Sequence, residues 1–390
     1  MSAITPSFIR ESDRFMIRLL HTADLHLGSV FPGLGEAGAG REEDFLKTFK
    51  RIIDQAIACD VQLLLVAGDL FDHPRPEKML LATVQGELQR LVQRGIIPVL
   101  LPGTHDHHLG GEELYTRQNF PGAVLLTEPH IDAPTLVKVA DQDVYLYGLA
   151  YLGGQSSAPL ADMKRRGEGG IHLGLLHGSL EGSPDWEYRS KDLPFTLAGL
   201  KQWDLDYVAL GHYHRFQELQ DVSRCWACYP GSPEGKRFGE NGPRYAALVE
   251  VGERQARVEA IEVQSRVLLE AEMELEAGMS DAAIVAAICK LGDEQSLVRL
   301  RLCGVLDRAL DREWLLARCQ FAFAFLDLLD ETRWLQGDFV AGLAAEETIR
   351  GECVRRFQEL LQQTSDAQGR DEIEQAFREV MVRFQSPGPP

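Results

Sequence analysis

Short apolar runs at Met16–Leu20, Leu63–Ala67, Ile97–Leu101, Val144–Leu149, Ile171–Leu176 and Tyr207–Leu210 punctuate the first two-thirds of the chain, and most read as buried strands. Between the first three lie amphipathic stretches. In Glu42–Ala58, Phe45, Phe49, Ile52, Ile53 and Ala56 recur at helical spacing, and Glu77–Arg94 predicts a second helix. Strand and helix in alternation predict a layered α/β architecture. Tyr245–Val263 then predicts a closing hairpin, two alternating strands around Gly252.

The pattern changes near Arg266. Val267–Leu275 and Ser296–Val305 predict strands with a Ser-capped helix, Asp281–Leu291, between them. Arg312–Cys319 predicts a helix and Phe321–Leu329 a strand, so this stretch reads as a small α+β module. From Glu346 two amphipathic helices remain. One carries Ile349, Cys353, Phe357, Leu360 and Leu361, the other Ile373, Phe377, Val380, Met381 and Phe384. Such apolar faces need a partner, either the chain's own core or another protein. The expected organisation is an extension at 1–15, a principal domain at 16–265, a smaller domain at 266–340, a helical pair at 341–385 and a disordered tail at 386–390.

Five of the apolar runs are followed at once by metal-ligating residues. After Leu19-Leu20 comes His21-Thr-Ala-Asp24-Leu-His26, and after Leu63–Ala67 comes Gly68-Asp69-Leu-Phe-Asp72. Val99–Leu101 leads to Pro102-Gly-Thr-His105-Asp106, Leu173–Leu176 to His177-Gly178, and Val208–Leu210 to Gly211-His212-Tyr-His214. A single His or Gly-Asp at a strand end is usually a hydrogen-bonded turn residue. Five in one chain predict a shared site, because ligands of α/β sheets bind outside the carboxyl ends of the strands. In an extended chain Asp24 and His26 project to one side, as do His212 and His214. Glycines at 68, 103, 178 and 211 permit sharp turns close to a ligand. A mixed Asp and His shell without Cys suits manganese, iron or zinc better than calcium.

These blocks, Asp24-x-His26, Gly68-Asp69-x-x-Asp72, Gly103-Thr-His105-Asp106, His177 and Gly211-His212-x-His214, resemble the signature of the calcineurin-like metallophosphoesterases, from Met16 to about Val263. Tyr229-Pro-Gly-Ser-Pro233 resembles the loop after the last His block. His-Thr-Ala-Asp-Leu-His-Leu-Gly and Gly-Asp-Leu-Phe-Asp are similar to the DNA-repair exonuclease branch, the SbcD-like nuclease subunits. The resemblance implies a two-sheet sandwich flanked by helices, a small α+β capping domain, and C-terminal helices that contact the coiled-coil base of an SMC-like ATPase. It also implies DNA as substrate, and homodimerisation. It assigns Asp24, His26 and His214 to a first divalent ion, Asp69 to a bridge, His177 and His212 to a second ion, and His105 to the leaving oxygen, with Asp106 orienting His105. Two ions roughly 3.5–4 Å apart suit in-line hydrolysis, which needs an activated hydroxide and charge stabilisation at both oxygens. The family's third block reads Gly-Asn-His, the Asn being a ligand of the second ion. Thr104 stands in its place, so that ion is expected to be held more loosely.

Charge and cysteine refine this picture. The net charge of −19 argues against wholesale coating of nucleic acid, although Lys164-Arg165-Arg166 and Lys236-Arg237 offer local basic groups. The N-terminus has no apolar leader segment and no apolar run is long enough to cross a bilayer, so a cytoplasmic protein with no membrane contact is expected. Seven scattered Cys predict no disulfide framework, and Cys225-Trp-Ala-Cys228 reads as a strand or loop with two ordinary thiols. Beside the nuclease stand two other readings: a phosphoesterase for nucleotides or small esters, and a weakly active scaffold subunit tethering an ATPase to DNA.

Overall fold

Along the first unit, Met1–Val267, the elements are β1 (Ile17–Thr22), α1 (Arg41–Ala58), β2 (Leu63–Ala67), α2 (Lys78–Val92), β3 (Ile97–Leu101), β4 (Val124–Leu125), β5 (Thr135–Val139), β6 (Gln142–Leu149), β7 (Ile171–His177), α3 (Leu197–Gln202), β8 (Tyr207–Gly211), β9 (Gln217–Gln220), β10 (Cys225–Tyr229), β11 (Tyr245–Gly252) and β12 (Gln255–Glu262). This computed structural model describes residues 16–108, 113–139, 141–153, 157–183, 192–222, 224–306, 308–334 and 337–385. The expected extension at 1–15 and tail at 386–390 lie outside the described residues.

Two six-stranded sheets form the unit, in the orders β12-β11-β1-β2-β3-β4 and β5-β6-β7-β8-β10-β9. The predicted two-sheet sandwich is therefore the observed fold. Its central strands β1, β2 and β3 are parallel, as are β6, β7 and β8. Covered on both faces, β2 and β7 are buried throughout, which is why they appear as unbroken apolar runs. Leu19, Leu65 and Val99 of one sheet meet Leu146, Leu173 and Ala209 of the other in the central core. Each fully buried Leu or Val among them contributes about 1.5–3 kcal/mol. The outer face of the second sheet is covered by Leu200 and Trp203, which pack with Leu176, Val208 and Leu210. His21 is buried in the sandwich, its Nδ1 2.9 Å from Tyr207 Oη. Cys225 and Cys228 are buried on β10, and burial pushes the Cys225 thiol up to about 12.

The second unit, Leu268–Pro390, carries β13 (Val267–Glu274), α4 (Asp281–Ile288), β14 (Ser296–Cys303), β15 (Val305–Leu306), α5 (Arg312–Cys319), β16 (Phe325–Asp330), β17 (Arg333–Trp334), α6 (Gly337–Ala344), α7 (Ile349–Gln363) and α8 (Ala367–Gln385). β13, β14 and β16 form one sheet, with Ile284, Ile288 and Leu315 packed against Val298, Leu300 and Leu328. Ser280 caps α4 by accepting from Ala283 N–H at 3.2 Å. The strand expected over Phe321–Leu329 begins later, because Gln320–Ala322 forms a 3-10 turn that continues α5. Before the two expected terminal helices the structure adds α6, whose Gly337 and Gly342 hid it from a propensity reading. Leu343, Val354 and Met381 join these three helices in a small core.

Candidate metal centre

In-register parallel pairing sets Leu19 beside Leu63, Leu65 beside Val99, and His177 beside Gly211. The carboxyl ends of β1, β2 and β3 thus align at one edge of the first sheet, and those of β7 and β8 at one edge of the second. The five ligand blocks begin at these ends.

Three groups of donor atoms gather there, each with all its atoms within 4.8 Å of one another: Asp24, His26 and His214; Asp24, Asp69 and His177; His26, Asp69 and His105. Asp24, His26, Asp69 and His177 are buried, and His105 is exposed at the rim. His26 Nε2 and His214 Nε2 stand 3.4 Å apart. The other nitrogen of each ring faces a carboxylate. His26 Nδ1 lies 3.0 Å from Asp72 Oδ1, and His214 Nδ1 3.1 Å from Glu240 Oε1. His177 Nδ1 is 2.9 Å from the Ala67 carbonyl, while its Nε2, 3.3 Å from Asp69 Oδ2, has no hydrogen-bond partner. A carboxylate or carbonyl on one ring nitrogen leaves the opposite lone pair for a metal. Buried carboxylates facing such nitrogens need compensating positive charge, which a divalent ion can supply, so this oxygen and nitrogen set fits one.

The backbone achieves this differently from the extended-chain expectation. Asp24, His26 and Asp69 have φ of 53°, 45° and 52°, and His212 has φ of 102°. Asp24 and His26 converge because the chain turns left-handed at both, not because alternate residues of a strand share a side. Gly68, φ 91°, and Gly211 wrap His177: a Cβ at Gly68 would stand 2.2 Å from His177 Nδ1, and one at Gly211 2.0 Å from the Ala67 carbonyl that the same ring faces.

His212 and Thr104 stand beside these groups. The His212 ring packs edge-on to His177 at 5.2 Å, its Nε2 3.7 Å from Asp192, while its N–H donates to Asp24. Thr104 Oγ1 donates to Asp69 Oδ2 at 3.2 Å and His105 N–H to Asp69 Oδ1 at 2.8 Å. Asp106 does not orient His105. Buried beneath the loop, it accepts from Gly103 N–H, Phe71 N–H and the Tyr115 hydroxyl, and burial raises its pKa to about 6. The carboxylate beside His105 is Asp72, whose Oδ1 is 3.5 Å and whose carbonyl is 3.3 Å from His105 Nδ1.

Electrostatics follow from burial and neighbours. Burial raises Asp24 and depresses His26. Burial opposes ionisation of Asp69 and His177 too, but each holds the other charged: Asp69 lies well below the carboxylate range and His177 is raised to about 10. Glu240, partly buried, is held down to about 2 by the His214 ring. Lys236 supports the surround, its Nζ 2.8 Å from Asp72 Oδ1 and its N–H on Glu240. Sequence reasoning missed Glu240 and Lys236 as a supporting pair. The loop's one signal was Lys236-Arg237, and nothing in it pointed to His214.

The profile of the calcineurin-like phosphoesterase family matches residues 17–216 of the 390. An uncharacterised metallophosphoesterase, YhaO of Bacillus subtilis, is 31% identical over 244 residues, 60% of this chain and 57% of that protein. The DNA double-strand break repair protein Mre11 of Methanopyrus kandleri is 27% identical over 235 residues, 57% of this chain and 50% of that one. Mre11 of Haloferax volcanii is 29% identical over 238 residues, covering 60% and 49%. The chain thus spans about half the length of these curated relatives. No helix among the described residues is long and apolar enough to cross a membrane. The family match runs from the first strand to just past His214, the stretch that builds the cluster, and the chain therefore belongs to the calcineurin-like phosphoesterases, metal-dependent hydrolases of phosphoesters.

Proposed function

We propose that the chain is a DNA nuclease that hydrolyses phosphodiesters with two divalent ions, manganese in the first instance. Asp24, His26 and His214 would hold one ion, and Asp69 and His177, with His212 and Thr104 beside them, the other. Such ions, when bound, would supply Lewis acidity to the phosphate and lower the pKa of the attacking water. Asp24, His26 and Asp69 each belong to two of the three donor groups, and Asp69 Oδ2 lies 3.8 Å from His26 Nε2 and 3.3 Å from His177 Nε2, which suits Asp69 to be shared. His105, at the exposed rim, delivers a proton to the departing oxygen, with Asp72 Oδ1 3.5 Å from its Nδ1 to orient the ring. The observation that carries the reading is the pair of Nε2 atoms 3.4 Å apart, each ring backed by a carboxylate. DNA as substrate draws support from the relatives named as double-strand break repair proteins.

The test is hydrolysis of bis-p-nitrophenyl phosphate and of linear duplex DNA with manganese, abolished in Asp69→Ala and His105→Ala. Cleavage of the small diester alone would move the substrate to small esters, and inactivity on both would favour a scaffold. We further propose that α7 and α8 dock an SMC-like coiled-coil ATPase. Ile349, 90% exposed at the start of α7, is not absorbed by the small core of these helices. Deleting 346–390 is expected to spare small-diester hydrolysis and abolish co-purification with such an ATPase.

A further inference from the structure

The cleft over the metal centre does not end at His214. It encloses about 1150 Å³, more than the roughly 300–1,000 Å³ that serves a single small ligand. Among the described residues, four basic side chains, Arg215, Lys236, Arg237 and Arg244, line it against two carboxylates, Asp192 and Glu240, in a chain of net charge −19. Lys236 is engaged by Asp72, and Arg237 and Arg244 lie near Glu240. Arg215 is exposed and forms no ion pair among the described residues.

Its backbone is fixed. Arg244 donates to the His214 carbonyl at 2.6 Å, and a Cβ on Gly231 would stand 2.8 Å from that oxygen and 3.0 Å from the Arg215 carbonyl carbon. A candidate ligand of the ion and a free guanidinium are thus consecutive residues of one clamped segment. The next residue, Phe216, packs on the core between the sheets and meets Tyr245 edge to face, ring centres 5.5 Å apart. Both rings line the same cleft. A basic groove with aromatic rings beside it is how proteins hold a nucleic-acid strand without reading its sequence.

We infer that Arg215 and Tyr245 form a strand-side subsite that holds the nucleotide next to the scissile phosphate, Arg215 on its phosphate and Tyr245 against its base. The inference rests on the nuclease reading and deepens it: the site selects a polynucleotide strand, because an isolated phosphodiester has no second phosphate to offer Arg215.

The test compares kcat/KM on a labelled single-stranded oligonucleotide and on bis-p-nitrophenyl phosphate, using the full chain with manganese. Arg215→Ala is expected to lower the ratio of the two about tenfold, through KM, and to flatten the log–log salt dependence of oligonucleotide cleavage by about 0.7. Arg215→Lys keeps the salt slope, Tyr245→Ala lowers the ratio roughly fivefold or more, and Tyr245→Phe restores it. Ratios within about twofold of wild type with an unchanged slope would overturn the subsite while leaving the nuclease intact. Wild-type protein that cleaves the small diester but no oligonucleotide and no duplex would overturn both.

Discussion

Among the described residues of the first unit, two buried acidic groupings contrast: the chain completes one and leaves the other unfinished. Glu234 is 1% exposed, as is Asp24, and Asp69 is 2% exposed. Glu234 is saturated by the chain itself: Arg41 Nη2 at 2.8 Å, Thr48 Oγ1 at 2.6 Å, and the N–H groups of Ser265 and Arg266 at 2.7 and 3.2 Å. It joins α1, the loop after the last His block and the end of the first unit. Asp24 and Asp69 instead take a few loop donors and turn the rest of their surface to imidazoles whose other nitrogens face a carboxylate or a carbonyl. Burial alone therefore does not mark a functional acid. What marks it is a donor set that no protein group completes.

The sharpest way to break that contrast is to remove one acid from each cluster. Asp69→Asn is expected to cut diester hydrolysis by roughly 10²–10³ or more while the protein stays folded by circular dichroism. Glu234→Ala is expected to cost about 3–5 kcal/mol, read as a lower urea midpoint, because Arg41 is left buried with less of its charge compensated. Manganese-dependent activity per folded molecule is expected to persist in that variant. If Glu234→Ala abolished activity without loss of stability, the division into a structural and a functional acid would fail. The supporting layer gives a smaller effect. Removing the Glu240 charge behind His214, as in Glu240→Gln, is expected to weaken manganese binding about 10- to 100-fold by calorimetry.

Smallest is Thr104. A hydroxyl that already donates to Asp69 is a weaker ligand than an amide oxygen, so Thr104→Asn is expected to tighten the weaker manganese site by up to about tenfold. Two equally tight sites in the wild type, unchanged by the substitution, would remove the idea.

How far the chain could be read in advance follows from where its information is stored. β1, β2, β3, β7 and β8 announced themselves because central parallel strands are apolar on both faces, and the ligand blocks lay within a few residues of their ends. The supporting contacts were not legible. Glu240 reaches His214 across 26 residues and Asp72 reaches Lys236 across 164, distances over which no local pattern extends. Asp106 misled for the opposite reason: adjacency in sequence suggested a partnership with His105, but the chain turns there and buries the carboxylate under Tyr115. α6 was lost to its two glycines, and the left-handed turns at Asp24 and His26 left no trace beyond the residues themselves.

Those turns have a consequence for anyone selecting variants of this protein. Left-handed backbone at a non-glycine residue costs of the order of 1–3 kcal/mol, and Asp24, His26, Asp69 and His212 all adopt it. A screen that rewards heat resistance alone would find its readiest gains at these positions, by installing glycine or asparagine. Each success would harden the scaffold and remove a proposed metal ligand, so thermostabilising libraries for this chain need an activity gate from the first round.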